Sequence, residues 1–156
     1  MPVMALQFIH QCQFSGKIKW YKEESQEGTS IEAKSKKDGC HYSIEFDTNG
    51  SIQDIEKKMK LKELPDDHRR TIVRVLNAKF KKWRITRLQE QWKGDQSELL
   101  NLVLNGDMKV CELDYEIVIK GKTAERKGFY EMLVSPEGEV LRFSNIVRWS
   151  TDNLEF

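Results

Sequence analysis

A chain of 156 residues, 38% hydrophobic and 33% charged, is long enough to bury one ordinary core or two very small ones without a disulfide framework, which excludes fibrous and miniature stapled folds. Four Trp, four Tyr and seven Phe supply large apolar groups that disordered chains lack, and no stretch approaches the roughly 20 apolar residues of a membrane span. The net charge of +1 conceals a division: residues 1–56 sum to −3, residues 57–87 to +9 and residues 88–156 to −5.

Residues 3–13 place Ala5, Phe8, Ile9 and Cys12 on one face, the spacing of a short helix with Pro2 at its start. Lys17 to Lys22 then alternates as a strand, Ile18 and Trp20 to one side. Ile31–Lys36 alternates again, Asp38-Gly39 reads as a tight hairpin, and the returning strand puts Tyr42, Ile44 and Phe46 on one face. A turn at Asp47-Thr48-Asn49-Gly50 leads to a short fourth strand at Ser51–Gln53, with residues 54–63 read as a connecting helical turn or linker.

Leu64-Pro65-Asp66-Asp67 opens a second helix with two acids in its first turn, and Ile72, Val75, Leu76 and Phe80 share a face. His68 lies on that stripe and reads as a histidine packed at the core edge. Trp83–Arg87 and Tyr115–Lys120 read as strands, followed by a Gly- and Lys-rich loop, Gly121 to Gly128. Phe129–Val134, the turn Ser135-Pro136-Glu137-Gly138, and Glu139–Arg142 complete a last hairpin.

Aligning the halves sets Tyr42–Ile52 beside Tyr130–Val140, with a growing offset that places an insertion near residues 92–111. Within it Ser97–Gly106 reads as a capped short helix or a hairpin turning at Asn105-Gly106, the helix favoured. The expected organisation is a first helix-plus-meander repeat over 1–56, a connector over 57–63, a second repeat over 64–144 and a tail over 145–156. The fold class is α+β, with each repeat a helix packed on a four-stranded antiparallel meander.

Cys12, Cys40 and Cys111 are odd in number and show no C-x-x-C spacing, against a complete disulfide framework or a zinc ribbon. His10/Cys12 and Cys40/His41 do not aim both side chains at one ion in helix or strand. No metal and no cofactor are therefore expected.

The pieces Lys19-Trp20-Tyr21-Lys22-Glu23, Ile31 to Gly39, Tyr42 to Gly50 and Glu63-Leu64-Pro65 resemble the PepSY-like proteins with the β-lactamase-inhibitor-protein type of fold, many of them tandem repeats from Bacteroidetes. The resemblance spans about residues 2–143 and departs from the family at the 92–111 insertion and the Gly121–Gly128 hairpin. It implies a periplasmic or extracellular protein whose relatives include non-covalent inhibitors and binding modules. The chain as given has no basic start or cleavage pattern at Met1–His10, so a signal, if the family pattern holds, is expected to have been removed.

No Gly-x-Ser-x-Gly, His-Glu-x-x-His, phosphate-cradling loop or dinucleotide fingerprint occurs, so no enzyme is expected. The favoured function is binding of an unknown protein or peptide across the exposed sheet face by a monomer or weak homodimer. Tyr21, Phe129, Leu133 and Trp149 are the candidate partner surface, subject to cover by the apolar tail (Ile146, Val147, Trp149, Phe156). The alternative is a polyanion or nucleic-acid binder through the basic island 57–87. Its candidates are Arg69, Arg70, Arg74, Lys81, Lys82, Trp83, Arg84 and Arg87, though no base-reading motif is present.

Overall fold

The structure is a computed structural model that describes residues 1–25, 28–108 and 111–146. Its elements in chain order are α1 (Val3–Cys12), β1 (Lys19–Ser25), β2 (Gly28–Lys37), β3 (Cys40–Asp47) and β4 (Ile52–Lys58). A 3-10 turn (Leu61–Glu63), α2 (Asp66–Lys79) and β5 (Lys82–Lys93) follow, then α3 (Gln96–Asn105), β6 (Glu112–Lys122), β7 (Lys127–Val134) and β8 (Val140–Ile146). The strands form one antiparallel eight-stranded sheet in chain order. The chain divides into two compact units, the first Met1–Lys57 with Gln91–Glu112, the second Lys58–Glu90 with Leu113 onward.

In the first unit, register rows carry the fold. Trp20, Ala33, Ile44 and Ile55 stand opposite one another on adjacent strands, so all four share a face. The α1 stripe of Ala5, Phe8, Ile9 and Cys12 is buried, with Phe8 edge-on to Phe46 at 5.9 Å, which identifies this as the helix-covered face. α1 ends at Gln13 in the left-handed region, φ 56°. The segment expected as an insertion holds a helix, α3, capped at Asp95, whose side chain accepts from the Glu98 N–H. It lies against α1.

In the second unit Ile72 and Leu76 of α2 are fully buried against Tyr115, Ile117, Ile119, Tyr130, Met132 and Val134. Each such side chain contributes about 1.5–3 kcal/mol of transfer free energy. The Tyr115 hydroxyl and His68 Nδ1 share a 2.8 Å hydrogen bond, so His68 is part-buried at the core edge. Burial, then the charges of Glu90 and Asp67, raise the Tyr115 hydroxyl well above its ordinary pKa.

Three sequence-based boundaries require correction. The fourth strand does not stop at Gln53, because β4 continues to Lys58 and takes in residues read as a helical connector. A register shift at Glu45/Phe46 makes Ile52 and Ile55, three residues apart, both inward-facing, a spacing that imitates a helix. β5 runs past Arg87 to Lys93, its far half carrying buried polar residues in place of an apolar alternation. The Gly121–Gly128 loop shrinks to four residues, since β6 and β7 pair as far as Lys122 and Lys127. The tail residues Val147, Trp149 and Phe156 lie outside the described residues.

Gly50 shows why one turn needs glycine. Its φ is 91°, and an added Cβ would stand 2.8 Å from Pro2 Cβ and 3.2 Å from the Ala5 backbone nitrogen. Gly50→Ala is expected to cost about 1–3 kcal/mol in urea unfolding. Gly128→Ala, where a Cβ meets nothing within 4 Å, is expected to stay within about 0.5 kcal/mol.

Candidate functional site

The face of each unit's sheet opposite its helix is where the chain's ungathered chemistry lies. In the first unit the rows between the inward ones are Tyr21, Glu32, Glu45 and Asp54, and, one step along, Lys19, Lys34, Ser43 and Glu56. Glu23 stands opposite Ser30 and Asp47 on the same side. This outer face therefore concentrates carboxylates where a period-two alternation sends every second residue.

Glu32 is the most held of them. It accepts from the Ser43 hydroxyl at 2.6 Å and pairs with Lys34 at 3.1 Å. The same Lys34 ammonium sits 5.5 Å from the Tyr21 ring centroid, a cation over an aromatic face. Tyr21 remains 46% exposed. Partial withdrawal from water, then repulsion from Glu32 and a hydrogen bond with it, push the Glu23 carboxyl up to about 7. Glu45 adds to the rise and Lys34 opposes it.

The second unit's outer face is organised differently. Glu116, Leu133 and Arg142 stand in one row across β6, β7 and β8. Glu116 pairs with Arg87 at 3.3 Å and with Arg142 at 3.9 Å, and Arg142 reaches Glu131 at 3.3 Å. A bond from Glu116 to Arg142 must pass over the residue between them, and Leu133 is accordingly 8% exposed. Leu133 thus lies on the outer face and is roofed, offering a partner almost no surface. Phe129, opposite Lys120 and Ile146, is half-buried with the Lys120 ammonium 5.9 Å from its ring. Trp149 lies outside the described residues.

The basic island is dispersed. Arg69, Arg70 and Arg74 line a shallow hollow of about 410 Å³ with Val73 and Asn77 on α2, and Arg69 is paired with Asp66 at 2.7 Å. Lys81, Lys82 and Arg84 are exposed. The Trp83 indole donates to Asn77 Oδ1 at 2.8 Å and packs against the core of the second unit. Arg87, paired with Glu116, belongs to the sheet's outer face and not to the α2 surface.

Sequence reasoning missed two features. The first is the carboxylate rows: each acid was visible as the outward member of an alternating strand, but their convergence depends on cross-strand register. The second is an apolar hollow of about 870 Å³ in the first unit, lined by Leu6, Ile9, Phe14, Trp20, Leu100 and Leu104, with Leu6 and Leu104 left exposed on the helices. The three cysteines are free; burial pushes the Cys12 thiol up to about 12, against the pull of Lys37, so it is a packed apolar group and a poor nucleophile.

No family model matches the chain, and no curated protein matches it. Solved structures do. A BLIP-like protein from Bacteroides fragilis superposes with a TM-score of 0.62 at 14% identity, over 96% of this chain and 90% of that one. A candidate periplasmic protein from Bacteroides eggerthii gives a TM-score of 0.63 at 15% identity, covering 93% and 88%. A DUF2874 family protein from Bacteroides ovatus gives 0.61 at 14%, also covering 93% and 88%. At such identities the likeness is one of fold: a BLIP-like α+β architecture shared with Bacteroides proteins.

A carboxyl raised by folding holds its proton more tightly than the unfolded chain does, so its stabilising contribution is present below the ordinary value of 4.5 and is lost as pH rises through about 7. Glu23→Gln is therefore expected to melt higher than the parent at about pH 8 and to match it near pH 4, as followed by circular dichroism.

Proposed function

We propose that the chain is a non-catalytic binding module that recognises a protein or peptide partner across the outer face of the first unit's sheet. The observation that carries this reading is the open face itself, where Tyr21, 46% exposed, stands in register with Glu32, Glu45 and Asp54. A rigid aromatic among fixed charges is the composition of an interface anchor, and the excess of carboxylates favours a partner that presents Lys or Arg. Likeness of fold to a BLIP-like protein supports an inhibitor-like module, and likeness to a candidate periplasmic protein supports placement outside the cytoplasm. Kinship with PepSY-like proteins is part of this proposal and rests on the sequence pieces.

The same proposal includes a tandem origin of the two units. The turns correspond bond for bond: Asp47 N–H to Ser51 at 2.9 Å and Gly50 N–H to Asp47 at 3.0 Å, against Ser135 N–H to Glu139 at 2.9 Å and Gly138 N–H to Ser135 at 3.0 Å. Gly50 and Gly138 both have positive φ. Register shifts fall at Glu45/Phe46 and Leu133/Val134, the same place in each repeat by the sequence alignment. A shared bulge supports descent from one unit better than shared hydrophobicity does, because bulges are retained as features of a family.

The test is capture from envelope and soluble fractions of the source cells at low and high salt, with the parent chain, Tyr21→Ala, and Tyr21→Ala/Phe129→Ala. A protein retained at high salt and weakened about 30-fold by Tyr21→Ala, the effect of losing an anchor of about 2 kcal/mol, is the expected result. Capture confined to nucleic acid or other polyanions, abolished by salt and indifferent to Tyr21, would overturn it and assign the function to Arg69, Arg70 and Arg74 on α2.

A further inference from the structure

Glu45 and Asp54 face each other across β3 and β4, and Glu56 joins them so that one carboxylate oxygen of each lies within 4.8 Å of the others. Asp54 is 7% exposed. Three acids at this spacing repel one another, and shielding from water makes the repulsion stronger.

A second observation, on β5, points to the same place. Gln91 is 7% exposed, and its side-chain oxygen accepts no hydrogen bond, a costly state for a buried acceptor. Its direction follows from its neighbours. Leu88 packs in the second unit's core, so the alternation of β5 sends residues 89 and 91 to the opposite face. Its position follows from register. The Met59 N–H donates to the Leu88 carbonyl at 2.9 Å, and counting back along both antiparallel strands sets Glu56 opposite Gln91. The orphaned amide oxygen thus stands beside the carboxylate group, within the first unit and on its outer face.

We propose that Glu45, Asp54, Glu56 and Gln91 form a binding site for a divalent hard cation, Ca²⁺ in particular. All four donors are oxygens, and neither a histidine nor a cysteine belongs to the set, which selects against zinc and copper. Ca²⁺ accepts several protein oxygens in a flexible geometry, as side chains from three strands offer, whereas Mg²⁺ demands a near-ideal octahedron and keeps several of its waters. The cation offsets the carboxylate repulsion and gives the Gln91 oxygen its partner. Lys93, set opposite Asp54 by the same register and exposed, is the internal competitor. The site stands independently of whether the face also binds a protein.

Isothermal titration of the chelator-treated full chain with CaCl₂ and with MgCl₂ tests it. One Ca²⁺ per chain with a Kd of about 1 mM or tighter, and Mg²⁺ at least about tenfold weaker, is expected. Glu45→Gln/Glu56→Gln should weaken Ca²⁺ at least about 100-fold, Gln91→Leu should weaken it several-fold, and the exposed control Glu24→Gln should leave it unchanged. If circular dichroism shows the double variant unfolded without metal, Asp54→Asn takes its place in the titration. No saturable heat up to about 10 mM Ca²⁺, or unchanged affinity in the carboxylate variants, would overturn the proposal.

Discussion

Everything in the first unit depends on the strict two-residue alternation of strands held in one cross-strand register. The row Trp20–Ala33–Ile44–Ile55 can meet the α1 stripe only if no strand slips by a single residue. A slip would send these side chains outward and bring Tyr21, Glu32, Glu45 and Asp54 beneath the helix. Burying four such polar groups against Phe8 and Ile9 would cost far more than any realignment could recover. The apolar core thus specifies the acidic face as its necessary complement: the residues that cannot be inside are gathered on one surface.

The same constraint has two outcomes on the outer faces. In the second unit the outward positions hold Arg87, Glu116, Glu131 and Arg142, which close into a chain of ion pairs. That chain spends its charges internally and shields Leu133. In the first unit Lys34 pairs with Glu32, and Glu23, Glu45, Asp54 and Glu56 share the same surface. A face whose charges are mutually satisfied is inert toward ions and partners, whereas one with an excess of a single sign attracts both. The difference between the two outer faces therefore lies in side-chain charge and not in the backbone, whose turns and bulges correspond closely.

Legibility in the sequence followed how local each determinant is. Helices α1 and α2 were readable because their stripes (Ala5, Phe8, Ile9, Cys12; Ile72, Leu76) repeat within the element itself. The hairpin at Asp38-Gly39 was readable because the turn chemistry is contiguous. β4 was misread because Gln53 is the extra residue of the bulge opposite Glu45/Phe46, which leaves Ile52 and Ile55 at a spacing of three that reads as helical. β5 was cut short because Gln89, Glu90 and Gln91, all buried, violate the expected alternation of apolar and polar residues. Tyr21 was placed outward from its neighbours alone, but nothing local could show that Leu133 is roofed by residues on the two flanking strands.

That last failure defines what kind of site this fold can hide. Glu45, Asp54, Glu56 and Gln91 come from three strands, and the sequence intervals between β3 and β5 have no motif spacing. Metal and catalytic motifs are legible when their ligands share a helix turn or a tight loop, because the spacing itself is then the geometry. On a sheet the geometry lies perpendicular to the chain, in the sum of paired residue numbers, and any intervening loop length is compatible with it. The β5–β6 connection illustrates the point: it carries the whole of α3, yet the β3–β4 rows are set by pairing alone. Sites of this kind are built by register, and they become visible only when the strands are laid side by side.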